Sequence, residues 1–184
     1  MAKYQINKIG ILGGSFDPAH KGHLAITNIS IKKFKLKKVY WVIAKNNPFK
    51  RKPFYSLNER LSKAKKITKK NKKIQIVYFD DLIKSSRSID TIKYILKKEK
   101  PKNLYFIVGS DILLKFHKWK SWKKIVKLTN LIVFSRKGYD KKSRKTIVAN
   151  YLNNKLNFVK IRPIQISSTI LRKKKRVIND SIRN

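Results

Sequence analysis

The segment Gly13-Gly14-Ser15-Phe16-Asp17-Pro18-Ala19-His20-Lys21-Gly22-His23 gathers the residues of this chain best suited to chemistry. Two of the three histidines of the chain stand here, three positions apart. On a helix that spacing makes them neighbours on one face. Each imidazole can donate to a phosphate oxygen, and a protonated imidazole also cancels charge. Gly13 and Gly14 permit a tight turn and close approach of backbone to a ligand. A helix opening near Lys21 presents unsatisfied N–H groups and a positive dipole end to an anion. Together these features describe a nucleotide-phosphate site. The plainer alternative is a simple turn followed by ordinary histidines, since short motifs are weak alone. The spacing fits neither the G-x-G-x-x-G fingerprint nor a P-loop.

A second candidate anion site lies at Ser167, Ser168 and Arg172. Two hydroxyls at a helix start sit where backbone N–H groups lack partners. Arg172 falls four residues beyond Ser168, on the same face, and its rigid fork suits phosphate. A capped basic helix with Arg172 in water is the competing reading. Gly109 and Asp111 follow an apolar run, where Asp111 could accept from ribose hydroxyls or cap a helix. Asp17 before Pro18 reads as structural, or as an anchor for a histidine or Mg²⁺.

These residues need elements to position them. Apolar runs predict strands at Lys8–Leu12, Lys38–Ala44, Ile74–Phe79, Asn103–Val108, Asn130–Ser135 and Phe158–Ile161. Amphipathic spacing predicts helices at Lys21–Phe34, Leu57–Lys70, Ser88–Lys98, Ser143–Tyr151 and Ser168–Lys175, with Ser88 as a cap. Asp111–Lys127 reads as helical but broken around His117–Ser121. Short apolar strands alternating with helices imply an α/β fold. It is a Rossmann-like, doubly wound, mostly parallel sheet with helices on both faces, in a single domain spanning 1–184. Binding is then expected at the carboxyl ends of the strands, where the strand order reverses. The loops that carry the candidate residues all follow strands.

Composition narrows the classes. The 184 residues include no cysteine, which excludes disulfides, thiolate metal sites and a cysteine nucleophile. No carboxylate or histidine set has metal-ligand spacing. No run of 18 apolar residues and no secretory-type leader occur, so a cytoplasmic protein without a membrane span is expected. The net charge is +39, from 48 Lys+Arg against 9 Asp+Glu. Lysine is spread over nearly every segment alongside Ile and Asn. That pattern suggests a solvated coat that draws polyanions, nucleic acid included, without specificity. Oligomeric state is not legible, and a homodimer is the commonest default.

The first motif resembles the signature of nucleotidyltransferases with the (H/T)xGH pattern. Five further segments resemble the bacterial nicotinate-nucleotide adenylyltransferases, in order and spacing, across residues 8 to about 175. They are Asn47-Pro48-Phe49-Lys50; Ser86-Arg87-Ser88-Ile89-Asp90-Thr91; Val108-Gly109-Ser110-Asp111; Phe116 with Trp119; and Ile166-Ser167-Ser168-Thr169-Ile170-Leu171-Arg172.

The resemblance implies adenylyl transfer from ATP, with Mg²⁺, to nicotinate mononucleotide. Deamido-NAD and pyrophosphate are the products, without a covalent intermediate. It implies that His20 and His23 hold the ATP phosphates, with His23 nearer the α-phosphate. The backbone of Gly14, Ser15 and Phe16 would line the nucleotide pocket. Lys50 and Arg172 would meet phosphate oxygens, although Lys45, Arg51 and Lys52 crowd the same loop as Lys50. Asp111 would meet the ribose, Trp119 would cover the pyridine ring, and Thr91 or Asp90 would help place the acceptor nucleotide. Trp122 is expected in the buried stripe of its helix. Phe49, Lys45, Arg87, Ser88 and the stretch 177–184 depart from the family pattern. The alternatives are transfer to nicotinamide mononucleotide or phosphopantetheine, or a basic nucleic-acid-binding protein on the same fold.

Overall fold

A computed structural model describes residues 7–46, 52–153, 156–162 and 167–172. The elements alternate as β1 (Lys8–Gly14), α1 (Lys21–Phe34), β2 (Lys38–Ile43), α2 (Leu57–Thr68), β3 (Ile74–Val77), α3 (Ser88–Glu99) and β4 (Asn103–Gly109). They continue as α4 (Ser110–Leu113), a 3₁₀ turn (Phe116–Lys118), α5 (Trp122–Leu128), β5 (Asn130–Phe134), α6 (Asp140–Ser143), α7 (Ile147–Tyr151) and β6 (Asn157–Val159). The strands form one sheet in the order β3-β2-β1-β4-β5-β6, and every pairing is parallel. This is the doubly wound order, with its reversal between β1 and β4. Leu12 pairs with Ile107, so the same register carries Gly14 level with Gly109. The two glycine-bearing strand ends thus flank one crevice.

Side-chain alternation along the strands splits the core into two layers. Ile9, Ile11, Tyr40, Val42, Phe106 and Val133 face one side and pack with Ile92 and Ile95 of α3 and Ile125 of α5. Leu12, Val39, Trp41, Ile43, Ile107 and Phe134 face the other, toward α1 and α2. A Cβ on Gly10 would stand 2.9 Å from Leu36 Cδ1 and 3.0 Å from Val39 Cγ2, so a glycine is needed for this close packing. No described helix is long and apolar enough to cross a membrane.

Several expected boundaries shift for local reasons. Asp111–Lys127 is helical but broken, as expected, and the breaks fall on both sides of the 3₁₀ turn Phe116–Lys118. Ser121 is left-handed at φ 58°, and the chain re-enters helix only after it. The Ser143–Tyr151 segment divides because Thr146 starts a new cap: its hydroxyl accepts from Ala149 N and donates to Ser143 O. Ser88 is the first helical residue of α3 rather than its cap, and Arg87 takes the cap position without a side-chain bond. The entry is held instead by Ser85, whose hydroxyl accepts from Arg87 N and donates to Asp90 Oδ2 at 2.7 Å. At α2, Ser56 and Glu59 form a reciprocal capping box.

Candidate active site

The histidine motif closes on itself. His20 caps α1 and is 8% exposed. Its Nδ1 accepts from Gly22 N at 3.1 Å, while His23 Nδ1 accepts from His20 N at 3.2 Å. This is a capping box in which two imidazoles replace the usual hydroxyl and carboxylate. With Nδ1 accepting on both rings, the neutral form of each carries its proton on Nε2, as a donor. The ring centroids lie 3.8 Å apart. Burial, then the positive charge of Arg136, lowers the His20 pKa from 6.5 to about 4. His20 is therefore neutral at physiological pH, and what it can offer an anion is a donor rather than a charge.

The support beneath this pair is aromatic. Phe16 lies against His23 at 4.8 Å between centroids and stacks on Trp41 at 5.0 Å. Trp41 Nε1 donates to Thr27 Oγ1, which donates to His23 O. The tight turn falls to Phe16, at φ 46°, rather than to the glycines, neither of which has a positive φ. What Gly13 contributes is absence: a Cβ there would meet nothing within 4 Å, so the strand end is open to a ligand.

The expected second anion site lies beside the first. The chain is helical over 168–172. Ser167 Oγ accepts from Ile170 N, the capping role. Ser168 Oγ donates to Pro18 O at 2.9 Å. Arg172 does not point to water: its Nη1 donates to Asp17 O at 2.6 Å and its Nη2 to Thr169 Oγ1 at 3.0 Å. Asp17 is structural, because its carboxylate accepts from Phe54 N and Tyr55 N and meets Arg172 instead of anchoring a histidine.

Across the crevice, Asp111 sits in the first turn of α4 and pairs with Arg136. Gly109, not Asp111, holds the cap position. Asp111 Oδ1 is buried with no hydrogen-bond partner, and a Cβ on Gly109 would collide with it. An orphaned carboxylate oxygen of this kind suits a hydroxyl donor. Ser110 donates to Asp140 Oδ1 and accepts from Arg136 N, which holds the chain at Arg136 toward the histidines.

Trp119 stacks on buried Phe116 at 4.9 Å and meets Phe106 edge-on, and is itself half-buried. Trp122 is equally half-buried, edge-on to Tyr151 and packed against the core cluster that holds Ile125 and Val126 of its own helix, as expected of its buried stripe. Thr91 is buried, with its hydroxyl toward Arg87 O. Asp90, Ser85, Ser86 and Arg87 line an open cleft of about 670 Å³ beside α3. This cleft lies along the Ser86–Thr91 segment rather than over the histidines. Lys50 lies outside the described residues.

Two residues that motif reading passed over complete the site. Arg60 is 2% exposed and donates to four carbonyls: Ser15 (2.8 Å), Ala44 (2.7 Å), Lys45 (3.0 Å) and Tyr55 (3.2 Å). It fastens the glycine turn to both flanks of the loop after β2. Its signal was a cation on the apolar stripe defined by Leu57, Leu61 and Ala64. Arg136 had a signal too, since it follows β5 at the same sheet edge as the other motifs.

Comparison with known proteins places the chain in a family. The Cytidylyltransferase-like family model matches residues 11–174. A protein of Pelagibacter ubique (strain HTCC1062), named "Probable nicotinate-nucleotide adenylyltransferase", is 47% identical over 167 residues, covering 90% of this chain and 92% of its own. A protein of the same name from Aquifex aeolicus (strain VF5) is 35% identical over 164 residues, covering 86% and 98%. The solved structure of Plasmodium falciparum nicotinic acid mononucleotide adenylyltransferase complexed with NaAD aligns with a TM-score of 0.69 at 22% identity, covering 91% of this chain and 83% of that one. At that identity the likeness speaks for the fold. With two curated relatives matching nearly end to end and the family model spanning the motifs, the chain belongs to the nicotinate-nucleotide adenylyltransferase family of cytidylyltransferase-like nucleotidyltransferases.

Proposed function

We propose that this protein transfers the adenylyl group of ATP to nicotinate mononucleotide in NAD biosynthesis. A phosphate oxygen of the acceptor attacks the α-phosphorus. The bond from that phosphorus to the bridging oxygen breaks, and pyrophosphate leaves with the electron pair. The acceptor phosphate is already anionic, so no strong base is required, and catalysis reduces to alignment and charge stabilisation.

The observation that carries this reading is the imidazole pair capping α1. Both Nδ1 atoms accept from the backbone, so both Nε2–H groups are donors, at the positive end of a 14-residue helix. His20 and His23 hold the triphosphate, with His23 at the α-phosphate. Gly13, Gly14, Ser15 and Phe16 bring backbone close to the nucleotide, and Gly109 leaves Asp111 room to accept from a ribose hydroxyl. Lys50, Ser167, Ser168 and Arg172 serve the phosphates. Trp119 stacks on the pyridine ring, and Thr91 shapes the acceptor side. Of the carboxylates near the histidines, Asp17 is engaged by backbone amides and Asp111 by Arg136 through Oδ2, its Oδ1 being left for the ribose. Mg²⁺ therefore enters with the substrate, as Mg·ATP.

The test is pyrophosphate release from Mg·ATP with nicotinate mononucleotide, nicotinamide mononucleotide and phosphopantetheine offered separately. Preference for the nicotinate compound is expected. Preference for another acceptor would retain the chemistry and replace the substrate. No turnover from folded protein would refute the transferase reading in favour of polyanion binding.

A further inference from the structure

We infer that Asp17 is a positioning residue that holds Arg172 and the Phe54–Tyr55 stretch before α2 in one frame with the histidine pair. The inference rests on the adenylyl-transfer reading for its kinetic form, but not for its binding form.

Asp17 is 7% exposed. A carboxylate so buried is unfavourable unless its oxygens are satisfied. Here the satisfying groups come from distant parts of the chain. Oδ1 accepts from Tyr55 N and Oδ2 from Phe54 N, each at 2.9 Å. Arg172 Nη1 reaches Oδ2 at 3.5 Å and the Asp17 carbonyl at 2.6 Å, across 155 residues of sequence. The neighbouring Pro18 carbonyl accepts from Ser168. The Nδ1 atoms of both histidines are committed to the amides of His20 and Gly22.

One side chain thus joins the turn after β1, the stretch before α2 and the helical segment 168–172. Each of the three adjoins residues assigned above to phosphate: the histidines, Lys50 in sequence, and Ser168 with Arg172. Arg172 has several rotatable bonds, and its direction is set by Asp17 and Thr169. Arginine oriented before binding loses less entropy when a polyphosphate arrives. Asp17 acts on the triphosphate through these groups and does not touch it.

The variant Asp17→Asn separates this role from bulk stability. The amide keeps one acceptor, but its NH₂ must face either Phe54 N–H or Tyr55 N–H, donor against donor. The Kd for Mg·ATP, read by calorimetry, should rise about tenfold or more, and KM for ATP should follow while KM for nicotinate mononucleotide stays within about twofold. Combined with Arg172→Ala, the loss should be strongly sub-additive, as expected for residues sharing one interaction. If Asp17→Asn does not fold, Asp17→Glu keeps both oxygens and shifts them by one methylene, and should weaken Mg·ATP in the same direction. Full additivity with Arg172→Ala, or an unchanged Kd with only a lowered Tm, would overturn the inference. Wild-type protein that binds Mg·ATP but turns over no acceptor would refute the transfer reading and leave this test standing.

Discussion

Replacing Arg60 by Met probes how the glycine turn is held. Met keeps most of the apolar stem volume and removes every donor. Four carbonyls lose their partner: Ser15, Ala44, Lys45 and Tyr55. Hydrogen bonds to a charged group contribute about 1.5–3 kcal/mol each, so a simple sum would reach ~6–12 kcal/mol. That sum is too large. Burying the guanidinium costs several kcal/mol, and the substitution removes this cost. Burial also lowers the Arg60 pKa, opposed by Asp17, Asp80 and Tyr78, although an arginine remains charged. The loop carbonyls of Ala44 and Lys45 can turn toward water, whereas those of Ser15 and Tyr55 flank buried residues. The expected net loss is ~3 kcal/mol, and at about 2–4 °C per kcal/mol for a chain of this size Tm falls by roughly 6–12 °C. Urea unfolding at 25 °C measures it as a lower midpoint with an unchanged slope. Because Ser15 belongs to the turn proposed to meet the nucleotide, KM for ATP should rise with it. Arg60→Lys should rescue little, since one ammonium cannot span four diverging carbonyls. A loss below ~1 kcal/mol with normal ATP kinetics would refute the clamp.

His23→Ala should lower kcat by about 10²–10³-fold, the scale for losing one donor to developing charge, while losing the reciprocal half of the capping box costs only ~1 kcal/mol of stability. Near-normal turnover would sink its catalytic assignment. His20 carries a pH signature: its folded pKa of about 4 lies below its ordinary 6.5, so the unfolded chain binds the proton first as pH falls. Its stabilising contribution is whole above pH 6.5 and is lost between 6.5 and about 4, by up to ~3 kcal/mol. Comparing urea midpoints at pH 7 and 4.5 with those of His20→Asn, which keeps a capping acceptor, isolates this change, and identical pH slopes would refute it. Gly109→Ala sits on unstrained backbone (φ −85°, ψ 155°) but drives a methyl into Asp111 Oδ1. Displacing that carboxylate should raise KM for ATP about 10- to 100-fold with the fold intact, and steady-state kinetics beside near-UV circular dichroism would expose either failure.

Much of the framework was legible because it is local. Short apolar runs marked all six strands, and α1 runs over Lys21–Phe34 as its apolar spacing predicts. The parallel sheet followed from alternation of strands and helices, and its carboxyl edge followed from where the motifs fall. Boundaries erred where one residue settles a terminus, as with left-handed Ser121, or Ser85 taking the entry role expected of Ser88.

The sequence by itself determined which residues could do chemistry and that they lie after strands, since residue type, periodicity and spacing are properties of short windows. Only the tertiary structure decided what those residues do before substrate arrives. It put Arg172 on Asp17, Arg136 beside His20, and Arg60 among carbonyls from three segments. These partners lie up to 155 residues apart. A charge in one window cannot reveal the carbonyl or carboxylate that folding brings to it from another, and burial, which sets the His20 pKa, exists only once both layers have closed on the sheet.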